Sequence, residues 1–324
     1  MTPTLEVASD FHTLRRSALR AARGHRRKPQ TAAFLCELEA EVITLQRELR
    51  SGSYRPGAFA TFRIRDPKPR TISAAPFRDR VVHHALCSVM EPTFEAHADP
   101  DSYACRLGMG NRAAVWRLQA LTRVAPWYAK LDVERYFETI PLDDLMSLLR
   151  GLFRDRPLLD VVEVVLRAGS RDGVRGLPIG NLTSQHFANL YLGQLDRAMR
   201  ALKPVGMVRY MDDVVLLGDS KVAVRAMVGA ATRRLVQLGL EEKRSARRVA
   251  PVHIGVPFLG FRVWPRTIRL DRAARHRLMQ KLRSPPRSWT ELEIQKQQTS
   301  LTAWAQHGDC GGLLASLADG APKR

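Results

Sequence analysis

Cysteine is scarce in this chain. The four present, Cys36, Cys87, Cys105 and Cys310, lie far apart, and no CxxC spacing occurs among the 324 residues. That scatter excludes a zinc ribbon and a disulfide framework, and it leads us to expect reduced thiols in a cytoplasmic protein. Long apolar runs are missing too, although 45% of the residues are hydrophobic. No stretch has the length of a membrane span and no lipidation signal is present, so no membrane partner is expected. A secretory leader is not expected either, because Phe11 to Lys28 is rich in arginine where a leader would be apolar. Acidic residues are the minority charge: 32 Asp and Glu stand against 52 Lys and Arg, for a formal net charge of +20. Such an excess points to a polyanionic partner, with nucleic acid first.

What is present divides into three expected parts. Residues 1–53 read as a basic amino-terminal arm or helix followed by an amphipathic helix. Arg15, Arg16, Arg20, Arg23, Arg26, Arg27 and Lys28 supply the charge, and Phe34, Leu35, Leu38, Val42, Leu45 and Leu49 give Ala32 to Leu49 one apolar face, stopped by Gly52. Residues 54–267 carry the chemistry, and 268–324 read as a small helical domain with a break at Pro285-Pro286. Thr290 and Glu293 have capping-box spacing for a helix running to about Trp304.

Within the central part, Phe62 to Arg65 alternates apolar and cationic residues and reads as an edge strand. Pro67 and Pro69 then stiffen a loop that presents Lys68 and Arg70, either as an ordinary basic loop or as a clamp on a triphosphate. Pro76 to Met90 reads as a helix on which the adjacent His83 and His84 point apart, which argues against a metal pair. Leu142 to Leu149, Leu158 to Leu166 and Val222 to Leu238 are further helical stretches. Gly176 to Gln185 reads as a loop opening a helix from His186 to Leu202, with Thr183 or Ser184 as cap and Gly176 and Gly180 allowing close approach of a ligand. A basic link, Lys243 to Arg248, leads to a short strand and turn at Phe258 to Val263.

The most informative stretch is Val208-Arg209-Tyr210-Met211-Asp212-Asp213-Val214-Val215-Leu216-Leu217-Gly218. Two adjacent carboxylates among apolar residues predict a tight hairpin with Met211 and Asp212 near its tip and Val214 to Leu217 as a buried strand. Side chains alternate faces along a strand, so neighbouring Asp residues converge only where the backbone turns. The plain reading is an Asp-rich turn that bonds its own backbone. A third acid tips the balance. Trp127 to Leu131 reads as a buried strand ending at Asp132, an unfavourable place for a carboxylate unless something binds it. Nucleotidyl transfer to a growing chain needs one metal at the 3′-hydroxyl and another at the triphosphate. Magnesium keeps several of its waters, so two or three Asp suffice to hold it.

Tyr210-Met211-Asp212-Asp213 is the signature of reverse transcriptases, and the chain resembles that family in other ordered blocks. These are the Lys68 and Arg70 element, Asp132 followed five residues later by Phe137, the glycine-centred loop at 176 to 185, and Phe258-Leu259-Gly260-Phe261. The resemblance covers most of residues 54 to 265. It implies an α+β right-hand polymerase, with fingers and palm interleaved, an antiparallel palm sheet carrying Asp132 and the hairpin, and a helical thumb. It implies that Asp132, Asp212 and Asp213 coordinate two magnesium ions (Mg2+) with help from the Val133 carbonyl. Lys68 and Arg70 would hold the triphosphate of an incoming dNTP, and Tyr210 would lie near the primer end. Phe137 falls where the family excludes a ribose 2′-hydroxyl, a core aromatic being the alternative. A family lysine after the hairpin helix has no good match, and the role of Lys243 stays open.

Most reverse transcriptases have Gln-Gly and then Ser-Pro in the 176 to 185 loop; this chain has Ile179-Gly180 and Ser184-Gln185. That combination resembles the enzymes of diversity-generating retroelements, which copy template RNA into cDNA with frequent errors at adenines. Asp79 to Leu86 and Tyr103-Ala104-Cys105-Arg106 agree with it. The resemblance adds a small basic helical accessory protein as partner, beside template RNA and the RNA–DNA duplex. Ile179 offers shape where Gln offers a hydrogen bond, a loss of about 1 kcal/mol of discrimination. No RNase H, integrase or endonuclease part is expected. Open alternatives are a retron, defence or group II intron enzyme, and a catalytically silent RNA-binding protein on a polymerase scaffold.

Overall fold

The computed structural model describes residues 2–65, 69–284, 286 and 289–311, which fall into two units, each woven from three stretches of chain. The first unit comprises Met1–Asp99, Val133–Arg197 and Thr232–Glu242. Its arginine-rich start, expected as a basic helix or arm, is a packed helix. Phe11–Ala21 is capped by the Asp10 carboxylate, which accepts the Thr13 N–H at 3.1 Å. Leu14 and Ala18 are buried, and the helix packs on Phe77–His97 while Arg15, Arg16 and Arg20 face solvent. The arginines occupy one side, and the small apolar residues between them make a sufficient stripe. The single helix expected over Ala32 to Leu49 is two, Pro29–Cys36 and Leu38–Ser51, broken at Glu37. Phe34 turns to meet Phe77 edge-on with ring centroids 5.1 Å apart, whereas Val42, Leu45 and Leu49 form a separate stripe.

In the same unit Ala60–Arg65 (β1) and Pro69–Ala74 (β2) form an antiparallel hairpin with Ile64 opposite Arg70. One edge strand is expected here; the second, β2, pairs with it along its whole length. Lys68 lies outside the described residues. The loop before helix Leu182–Ala201 is stitched to β2. Ser73 N–H donates to the Ile179 carbonyl at 2.9 Å, the Asn181 amide donates to the Ser73 carbonyl at 2.8 Å, and the Asn181 Oδ1 accepts the Ala75 N–H at 3.3 Å. The helix therefore starts at Leu182 rather than His186, and Thr183 and Ser184 are buried in its first turn instead of capping it. Gly180 has φ +111°, and a Cβ there would come within 2.8 Å of the Ile72 Cγ2, so both conformation and space demand glycine.

The second unit comprises Pro100–Asp132, Ala198–Ala231 and Lys243–Arg324. Its sheet is built from Trp127–Leu131 (β3), Gly206–Tyr210 (β4), Asp213–Gly218 (β5) and Arg248–Pro251 (β6), in the order β4-β5-β3-β6 and antiparallel throughout. Register puts Tyr128, Val208, Val215 and Leu217 on one face, where they join a buried apolar cluster with Phe258, Phe261 and Val263. Those last residues belong to a second sheet of Val256–Phe258 (β7), Phe261–Val263 (β8) and Ile268–Leu270 (β9). The expected single strand at 258 to 263 is thus two, turning at Leu259 and Gly260 with φ of 50° and 84°. The helical part expected over 268–324 begins only at Arg272, after β9, where Asp271 caps the helix Arg272–Arg283. The Thr290–Glu293 capping box is present at the head of Glu291–Ala305.

Asp101 anchors the edge of the larger sheet. Its buried carboxylate accepts Arg117 Nε at 2.7 Å and Arg200 Nη2 at 2.6 Å, and its carbonyl accepts the Arg209 N–H at 2.9 Å. Tyr103 N–H in turn donates to the Arg209 carbonyl at 2.9 Å, so residues 101–103 run beside β4. Both arginines are partly exposed and rehydrate when released, so Asp101→Ala is expected to lower unfolding free energy by about 2–3 kcal/mol. Chemical denaturation of the full chain checks this, with Arg117→Ala, which leaves Arg200 in place, expected to lose less.

Candidate active site

The hairpin forms as its sequence dictates. Tyr210 pairs with Asp213, leaving Met211 and Asp212 as the two-residue turn. Met211 takes φ +55°, a left-handed conformation that a two-residue hairpin needs and that a long side chain adopts at some cost. A buried arginine helps to hold it: Arg209, 1% exposed, donates from Nη1 to the Met211 carbonyl at 3.1 Å. Leu131 pairs with Val214, so Asp132, next along β3, comes to the same end of the sheet as the turn.

Asp132 and Asp212 interact directly. The Asp212 carboxyl is pushed up to about 6, first by burial, then by the charge of Asp132, with a smaller contribution from Asp213. Asp213 also titrates above the usual carboxylate range because it is buried, but the Lys130 ammonium opposes that rise. Lys130 Nζ lies 2.8 Å from Asp213 Oδ2 and 3.3 Å from the Pro257 carbonyl. Asp213 Oδ1 is buried without a hydrogen-bond partner. Among the described residues, no group of three His, Cys, Asp or Glu side chains is arranged to hold a metal ion. The three expected carboxylates are therefore a mutually repelling pair plus an acid already bound to a lysine. A crowded acidic pair and an orphaned carboxylate oxygen fit a divalent cation, which satisfies oxygen acceptors and lowers their repulsion. Tyr210 is half-buried, and burial followed by the neighbouring Cys105 thiol raises its hydroxyl.

Val133, Arg70, Phe137, Ile179, Gly180 and Gln185 belong to the other unit. Val133 bridges to Glu242 through the Glu134 N–H to Glu241 carbonyl bond at 2.8 Å, a pattern that leaves its own carbonyl unused by that bridge. Arg70 is exposed on β2. Phe137 sits in the short helix Tyr136–Thr139, half-buried, with its carbonyl accepting the Leu177 N–H at 2.6 Å. Ile179 lines an open cavity of about 350 Å³ with Thr71, Ser73, Arg135, Glu138 and Arg175. Gln185 is exposed in the first turns of its helix rather than in the loop. Lys243 engages the site through its backbone, its N–H donating to the Asp132 carbonyl at 2.9 Å.

Three residues with evident roles here are not among those expected from the sequence. Lys130 lies two positions before Asp132 and so on the same side of β3, an alternation that would have revealed it. Arg209 is a charge inside an otherwise apolar strand, which is itself a signal. Asn181 gave no signal beyond its place at the end of the glycine loop.

The description "Reverse transcriptase (RNA-dependent DNA polymerase)" belongs to the family model that matches residues 64–263. Among curated relatives, the COX1/OXI3 intron 1 protein of Saccharomyces cerevisiae is 26% identical over 161 residues, 47% of this chain and 19% of that protein. The group II intron-encoded protein LtrA of Lactococcus lactis subsp. cremoris is 22% identical over 174 residues, 51% of this chain and 29% of that protein. The matched part thus spans less than a third of either relative. Apo telomerase from Candida tropicalis, truncated from its C-terminal domain, aligns with a TM-score of 0.51 at 11% identity, covering 66% of this chain and 55% of that one. The fold is that of a right-hand polymerase, α+β with antiparallel sheets. With the family model covering more than half of its length, this chain belongs to the reverse transcriptase family of RNA-directed DNA polymerases.

Proposed function

We propose that this chain copies template RNA into cDNA by nucleotidyl transfer at the end of β3 and the tip of the β4–β5 hairpin. The observation that carries the reading is the meeting of Asp132 and Asp212, in a member of this family, with a mutual repulsion that a bound divalent cation would relieve at neutral pH. Asp132 and Asp212 hold divalent magnesium, with the Asp213 Oδ1 and the Val133 carbonyl as further oxygen ligands. Two such ions would supply Lewis-acid activation of the primer 3′-hydroxyl and charge neutralisation at the triphosphate. Lys68 and Arg70 hold the triphosphate of the incoming dNTP. Phe137 stands against a ribose 2′-hydroxyl, and Tyr210 lies near the primer end. Ile179, Gly180 and Gln185 shape the surroundings of the base. The RNA–DNA duplex is the natural partner of a chain with a net charge of +20.

The finer reading is an error-prone enzyme of a diversity-generating retroelement, working with a small basic accessory protein. It rests on Ile179 and Gln185, which replace the family's usual Gln and Pro. The second reading, a group II intron type of enzyme, is favoured by the intron-encoded relatives.

Primer extension on an RNA template with magnesium separates a polymerase from a silent scaffold: Asp212→Asn is expected to lose at least about a hundredfold in rate. Ile179→Gln is expected to lower misincorporation at template adenines about threefold to tenfold, read by sequencing cDNA from one template. Unchanged adenine errors would favour the intron-type reading. The raised Asp212 carboxyl also sets a pH dependence. A folded-state value above the unfolded one stabilises the fold at low pH, and that contribution disappears as pH rises through about 6. The melting temperature of the metal-free protein should therefore fall between about pH 4 and 6. Added divalent cation should reverse the loss, and Asp132→Asn should flatten the profile.

A further inference from the structure

Lys130 is an unusual occupant of its position. It sits on an inner strand of the sheet, paired with Val215 on one side and Arg248 on the other, on the face that carries the buried apolar cluster. Its side chain is 20% exposed. The ammonium is fixed by the Asp213 Oδ2 at 2.8 Å and the Pro257 carbonyl at 3.3 Å, and it lies 5.9 Å from the Phe258 ring centroid. A long flexible cation held by three groups of different kinds is no longer free to follow solvent or substrate. Its partner is held just as firmly. With Oδ2 committed to Lys130, Asp213 has only Oδ1 to offer, and that atom is the buried one without a partner.

We propose that Lys130 is a positioning residue that removes one carboxylate's charge from the hairpin site, so that Asp132 and Asp212 carry the cation and Asp213 contributes a single aimed oxygen. This rests on the reading of Asp132 and Asp212 as magnesium ligands. Three ionised carboxylates would present three negative charges to a small cation; Lys130 reduces the sum to two. It therefore sets how tightly the site grips a divalent ion. A site that bound cations more tightly would release them and the leaving pyrophosphate more slowly.

The test is Mn2+ binding to the full chain without nucleic acid, read as free Mn2+ by electron paramagnetic resonance, alongside primer extension and thermal melting. Lys130→Met is expected to bind Mn2+ about tenfold more tightly, because a unit charge is removed a few ångströms from the site, and to extend primers more slowly. Lys130→Arg should keep wild-type affinity. Asp213→Asn, which leaves the ammonium without its carboxylate, should bind about tenfold more weakly. The double variant Lys130→Met/Asp213→Asn restores the net charge and should return to within about twofold of wild type. An unchanged affinity in a folded Lys130→Met protein overturns the proposal. If Lys130→Met gives no cooperative melt, Asp213→Asn and the double variant decide, and equal affinities for those two overturn it as well. Asp212→Asn separates this idea from its premise. Wild-type Mn2+ binding in that variant defeats the metal-site reading itself, whereas loss of binding there with no effect at Lys130 defeats only the role of Lys130.

Discussion

Everything at the hairpin depends on the register between β3 and β5. With Leu131 opposite Val214, the strand ends at the level of the turn, and Asp132 arrives beside Asp212. A slip of one residue would exchange the two faces of β3, placing Lys130 and Tyr128 where Ala129 and Leu131 now lie. The apolar cluster resists that slip, because Tyr128, Val215 and Leu217 are almost completely enclosed on one side. Burial of ordinary hydrophobic side chains thus fixes the separation of two carboxylates to which it contributes no contact. Lys243 adds a backbone tie at the Asp132 carbonyl, which restrains the chain where the strand gives way to the next segment.

The sheet holds its turn from both faces with different cations. Register places Lys130 and Asp213 on the face of the apolar cluster and Arg209 with Val214 on the other. Lys130 answers a side-chain charge; Arg209 answers a backbone carbonyl in a left-handed residue. Arg209 is in turn bracketed through its backbone by Asp101 and Tyr103, so the arginine pair on the Asp101 carboxylate reaches the turn through one strand.

The hairpin, the strand ending at Asp132 and the carboxyl-terminal capping box were legible in the sequence because each has a short-range signature: adjacent acids in an apolar run, an acid closing a strand, and Thr and Glu three apart. What failed was set by contacts distant in sequence. Asn181 reaches Ser73 and Ala75, and this moves the start of its helix four residues earlier than the loop alone suggests. The break at Glu37 follows from Phe34 meeting Phe77. Strand β9 pairs with β8, and its apolar–polar–apolar alternation over Ile268, Arg269 and Leu270 is too short to stand out from the helical pattern that follows. Lys130 was readable in principle by alternation, yet a single lysine in a chain so rich in cations attracts no notice.

The interleaving of the two units has a consequence for the order in which the protein can be made. Neither unit is complete until its last stretch has left the ribosome: the first waits for Thr232–Glu242 and the second for the residues from Lys243 onward. Strand β3 emerges long before β5 and β6, the neighbours that cover both its edges. During synthesis its apolar residues and open edges must be shielded by transient contacts, a burden that grows with the sequence distance between partners. Nascent chains halted before Arg248–Pro251 would hold all three carboxylates and the strands that bring them together, yet leave the far edge of β3 uncovered.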